Sequence, residues 1–104
     1  MATFQLLWLK CHETTDGFGA DQVNIFFRGE LLFYDGDMGE GDEWDLNDSR
    51  EFTGSEKVWV KESDSEGSDE LIGSFWVNDD SPGEQVVTLT GDDSHYDLRY
   101  RVVG

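Results

Sequence analysis

Gln22-Val23-Asn24-Ile25-Phe26-Phe27-Arg28-Gly29-Glu30-Leu31-Leu32-Phe33-Tyr34 holds two aromatic and β-branched runs with Arg28-Gly29-Glu30 between them. Such side chains suit a pleated, half-buried surface, and a glycine between two of these runs signals a tight hairpin. Working outward, runs of the same kind occur at Thr3 to Cys11, Lys57 to Lys61, Leu71 to Val77, Gln85 to Thr90 and Tyr96 to Val102. Another covers Glu43 to Leu46 and continues irregularly to Phe52. Gly, Asp, Asn and Ser clusters separate them, and no segment sustains an i, i+3, i+4 apolar pattern. The reading is all-β: about eight antiparallel strands in a two-sheet sandwich, with residues 1–104 forming one domain.

Charge sets the second constraint. The chain has 24 Asp and Glu against 7 Lys and Arg, a formal net charge of −17, yet carries four Trp, three Tyr and seven Phe. That aromatic content can build a core, so the charge is expected on a folded scaffold that repels itself until something neutralises it. Phosphate contact needs clustered Lys and Arg, so nucleic acid is excluded as a partner and an anionic membrane is disfavoured. Cys11 is the lone cysteine, which rules out an intramolecular disulfide and favours a reducing, cytoplasmic setting. The residues after Met1 have neither a basic region nor an apolar run suited to export, and no stretch approaches a membrane span. A soluble monomer is expected.

With successive strands antiparallel, the connections 12–21, 35–42, 62–70 and 91–94 fall at one end. They contain Glu13, Asp16, Asp21, Asp35, Asp37, Glu40, Asp42, Glu62, Asp64, Glu66, Asp69, Glu70, Asp92 and Asp93, fourteen of the 24 acids. Calcium takes six to eight oxygens, and carboxylates held close by a fold supply them. The EF-hand pattern fails. Asp35-Gly36-Asp37-Met38-Gly39-Glu40 lacks the sixth-position glycine, and Glu62-Ser63-Asp64-Ser65-Glu66-Gly67 starts on Glu and reaches Gly73 at its twelfth position.

A different spacing does fit. Asp16-Gly17-Phe18-Gly19-Ala20-Asp21 precedes a strand, Val58-Trp59-Val60-Lys61-Glu62-Ser63-Asp64 ends one, and Glu70-Leu71-Ile72-Gly73 opens the next. This resembles the calcium loops of C2 domains, with Glu at 62 and 70 where that family carries Asp. The resemblance implies a C2-like sandwich that binds more than one Ca2+ ion through Asp16, Asp21, Glu62, Asp64 and either Asp69 or Glu70. Asp35 and Asp37 are further candidates from the neighbouring acidic connection. In size and acidity the chain is also similar to small cyanobacterial calcium-binding proteins that buffer free calcium.

Other chemistry is weakly represented. Cys11, His12 and His95 have zinc-type ligand atoms but no recognisable zinc spacing. Ser94-His95-Tyr96-Asp97 has the residue types of a hydrolase triad, but consecutive strand residues point to opposite faces. Trp8, Trp44, Trp59 and Trp76 are assigned to core packing, and Phe18 and Met38 to apolar loop tips. The expected function is non-enzymatic: an intracellular Ca2+ buffer or sensor with a protein partner. The alternative is an acidic mimic of DNA that blocks a DNA-binding protein, or another protein-protein interaction module.

Overall fold

The computed structural model describes residues 1–15, 20–63 and 70–104. Among the described residues there are nine strands: β1 (Ala2–Glu13), β2 (Asp21–Phe27), β3 (Glu30–Met38), β4 (Glu43–Asp45), β5 (Ser49–Phe52), β6 (Ser55–Ser63), β7 (Glu70–Asn78), β8 (Gly83–Leu89) and β9 (His95–Val103). One sheet runs β4-β1-β9-β8, with β5 also paired to β1, and the other runs β3-β2-β6-β7. All pairings are antiparallel. The expected β-sandwich is therefore the fold. Its ninth strand arises because the irregular stretch 43–52 is two short strands, both laid along β1.

Alternation builds the core. In β9, Tyr96, Leu98, Tyr100 and Val102 are buried, and in β2, Val23, Ile25 and Phe27 face them across the sandwich. β1 changes phase partway. Ala2, Phe4 and Leu6 are buried before a bulge between Leu6 and Trp8, and Leu9 and Cys11 after it. Because the side-chain period is two, the extra residue moves the inward set from even to odd positions. Phe4 stacks on Phe27 with centroids 4.9 Å apart, and Phe27 meets Phe52 edge-on at 5.6 Å. These rings join the two sheets.

The tryptophans correct the core assignment. Trp76 is 61% exposed and Trp44 39% exposed, while Trp8 and Trp59 are half-buried. Lys57 Nζ lies 4.0 Å from the Trp59 ring centroid, and the Arg99 guanidinium lies 5.2 Å from that of Trp8. The rings thus serve as seats for cations on the outer faces. Met38 is corrected as well: it is fully buried at the end of β3 rather than at a loop tip. Phe18 lies outside the described residues.

The β2–β3 turn is the expected hairpin, with Arg28 at φ 55° and Gly29 at φ 78°. Two central residues with positive φ make a turn whose twist matches the strands, and asparagine tolerates the first position better than arginine. Arg28→Asn is expected to raise thermal stability by about 0.5 kcal/mol, read as an upward shift in a melting curve. A fall would mean that Arg28 contributes more over the Phe27 ring, 5.2 Å away, than it costs in the backbone.

Candidate metal centre

Register brings the acidic segments to one end of the β3-β2-β6-β7 sheet. Asp21 pairs with Met38, Gln22 with Ser63, and Glu62 with Glu70. The strand ends that flank the segments 14–20, 39–42 and 64–69 therefore lie side by side. The connection after β8 joins them: a Cβ on Gly91 would lie 2.6 Å from the Ile72 carbonyl oxygen, so this glycine seats the Gly91–Asp93 turn against the start of β7.

The predicted ligands are distributed as follows. Asp16, Asp64 and Asp69 lie outside the described residues, as do the side chains of Asp35 and Glu70. Asp21, Asp35, Asp37, Glu62 and Glu70 lie within the ends of strands rather than in loops, because pairing runs further into the acidic segments than side-chain type suggests. Asp37 is exposed and Glu62 half-buried. Asp42, in the 39–42 connection, accepts a hydrogen bond from the Gly39 N–H at 2.8 Å. Its carbonyl accepts from the Cys11 N–H at 2.9 Å, pinning this connection to β1.

Asp21 is only 3% exposed. Its Oδ2 accepts from the Thr15 N–H at 2.9 Å and from the Tyr96 hydroxyl, and its Oδ1 accepts from the Thr15 hydroxyl at 2.6 Å. A buried carboxylate requires such donors. Burial, reinforced by the hydrogen bonds to Asp21 and Cys11, pushes the Tyr96 phenol far above its ordinary range, so it stays neutral and donates. Burial also pushes the Cys11 thiol up, against the hydrogen bond with Tyr96, and the charges of Asp21, Asp42 and Glu40 add to the rise. Cys11 is fully buried and packs in the core as a small apolar side chain.

Among the described residues, one group of three potential ligands converges: His12, His95 and Asp97, each offering an atom within 4.8 Å of the others. His12 Nε2 is 2.8 Å from Asp97 Oδ2, and His95 Nε2 is 3.9 Å from Asp97 Oδ1. The Thr88 hydroxyl donates to Asp97 Oδ1 at 2.9 Å. Burial raises the Asp97 carboxyl, but the hydrogen bonds from His12 and Thr88 and the charges of both histidines outweigh it, and the net shift is downward. The alternation that excludes a Ser94-His95-Tyr96-Asp97 triad sets His95 and Asp97 on one face. Bringing His12 to them takes the β1–β9 register, which nothing local in the sequence reveals.

No model of a known protein family matches the sequence, and no curated protein matches it. The fold is similar to solved C2 structures. One, described as the structure of a C2 domain, has a TM-score of 0.67 at 13% identity over 100% of both chains. The C2A domain of plant extended synaptotagmin 1 gives 0.56 at 13% identity, over 97% of this chain and 90% of that one. Human GIVD cytosolic phospholipase A2 gives 0.61 at 13% identity, over 98% of this chain but 16% of the phospholipase. At this identity the likeness is one of fold: the chain is a C2-like β-sandwich. The similarity to cyanobacterial calcium-binding proteins has no counterpart in these matches.

Proposed function

We propose that the domain binds calcium ions at its acidic pole, without catalysing a reaction, and works as an intracellular Ca2+ buffer or sensor. The observation that carries this reading is the register at the end of the four-stranded sheet. Positions 62 and 70, both Glu, are directly opposed, and Asp21 begins the strand beside β6. Like charges at opposed positions destabilise a sheet unless a cation lies between them. Arg28, Lys57, Lys61 and Arg99 lie over aromatic rings, and seven Lys and Arg against 24 Asp and Glu leave a large excess of negative charge for bound cations to offset.

The candidate ligand set is Asp16, Asp21, Glu62, Asp64 and Asp69 or Glu70, with Asp35 and Asp37 beside it. Bound calcium supplies positive charge that cancels their repulsion. The chain's own part is to anchor the converging segments: β2 and β6 through their ladder, and the 14–20 connection through the Thr15 bonds to Asp21. Asp64→Asn is expected to weaken calcium binding at least tenfold (about 1.4 kcal/mol) with the fold retained. Calorimetric titration of chelator-stripped protein, with magnesium as the control, measures this. Equal heats for the two ions would favour an acidic decoy, and unchanged affinity in Asp64→Asn would remove that residue from the set.

A second reading, a protein-interaction module, draws on the outer faces, where Trp76, Leu31 at 49% exposure and Trp44 stand open to solvent. Calcium-dependent binding of a hydrophobic dye would connect the two readings as a sensor.

A further inference from the structure

We propose that His12, His95 and Asp97 form a zinc site on the outer face of the β4-β1-β9-β8 sheet, built from none of the candidate calcium ligands and independent of the calcium reading. Three features of the strands create it. His95 and Asp97 are two residues apart on β9 and so share a face. His12 is the extra residue of a bulge between the pairs Cys11↔Tyr96 and Glu13↔His95, and it reaches the same face beside them. Its ring centroid lies 4.5 Å from that of His95.

The donor atoms already lie close. In a tetrahedral zinc site with ligand distances near 2.1 Å, neighbouring donors are roughly 3.4 Å apart. The three donors here are within 4.8 Å of one another, and the closest pair is at 2.8 Å. Small rotations of two imidazole rings are enough to close the set. The side chains are 34%, 44% and 23% exposed for His12, His95 and Asp97, so an ion can reach them, and a fourth position stays open to water.

Two imidazoles and one carboxylate select a borderline ion such as zinc over calcium, which prefers oxygen donors. Outside the ligands, the Thr88 hydroxyl fixes the Asp97 carboxylate from β8, as outer-shell partners of metal sites do. Lys10, whose position on β1 pairs with Asp97, directs its ammonium toward Glu43, 3.9 Å away. The net charge of −17 enriches divalent cations around the whole surface.

The test is a zinc titration of the whole chain in saturating calcium, followed by calorimetry and by nitrogen-15 spectra of the imidazoles. One zinc per chain with micromolar or tighter affinity is expected, with the His12 and His95 ring signals shifting together. The variant carrying both His12→Gln and His95→Gln should lose roughly a hundredfold in zinc affinity with calcium binding unchanged. Thr88→Val, which removes a positioning residue and spares every ligand, should lose about tenfold. The proposal is overturned if the ring signals stay fixed through the titration or if the double variant binds zinc as the parent does. The ring signals come from the unsubstituted protein, so the outcome stands even if a variant folds poorly.

Discussion

Asp21→Ala is expected to lower the melting temperature by roughly 12–24 °C in the presence of chelator. The substitution removes the acceptor for the Thr15 N–H, the Thr15 hydroxyl and the Tyr96 hydroxyl, all within the interior. Stranding buried donors costs about 1–3 kcal/mol apiece, and a net loss near 3 kcal/mol is reasonable where some donors find water. Each kcal/mol shifts the transition of a domain of this size by about 4–8 °C. Asp21→Asn should recover little, because its amide group would point a second donor at these donors. Chelator separates this structural contribution from any role of Asp21 as a calcium ligand. A melting temperature within about 2 °C of the parent would mean that the network is not holding the 14–20 connection.

Calcium should act in the opposite direction and with similar size. A ligand that binds only the folded state stabilises it by about 2.7 kcal/mol at a hundredfold excess over Kd. For this domain that predicts a rise of roughly 11–22 °C between chelator and calcium. Relief of repulsion at the opposed positions 62 and 70 is already contained in that binding energy. Magnesium at the same ionic strength should give a much smaller rise, because it sheds its water reluctantly and demands octahedral geometry. Identical shifts with both ions would assign the effect to screening of the net charge of −17, and the calcium reading would fail.

The sandwich could be read from the sequence because apolar and polar residues alternate through β9, and short aromatic and β-branched runs mark β2 and β6. Strand ends could not. Acids are poor strand formers, so the runs appear to stop short of Asp21, Asp35, Asp37, Glu62 and Glu70, whereas pairing to a neighbour carries each strand on through them. The tryptophans misled for a related reason: Trp59 and Trp8 look like core residues until Lys57 and Arg99 are seen resting on their rings. The convergence of His12 with His95 and Asp97 was illegible because it depends on partners from opposite ends of the sequence and on a single bulge.

That same long-range pairing has a kinetic consequence. The β2–β3, β6–β7 and β8–β9 hairpins are local and can form within microseconds. The β1–β9 ladder, from Thr3↔Val103 to Glu13↔His95, spans nearly the whole sequence and must close the largest loop in the molecule. Refolding should therefore be slow and limited by this closure, in the millisecond-to-second range of sandwiches. Until it happens, β1 has only β4 and β5 along one edge, and its other edge stays open to strands of neighbouring chains. The self-repulsion that burdens the folded domain then protects the unfinished one, by keeping such chains apart while the last ladder forms.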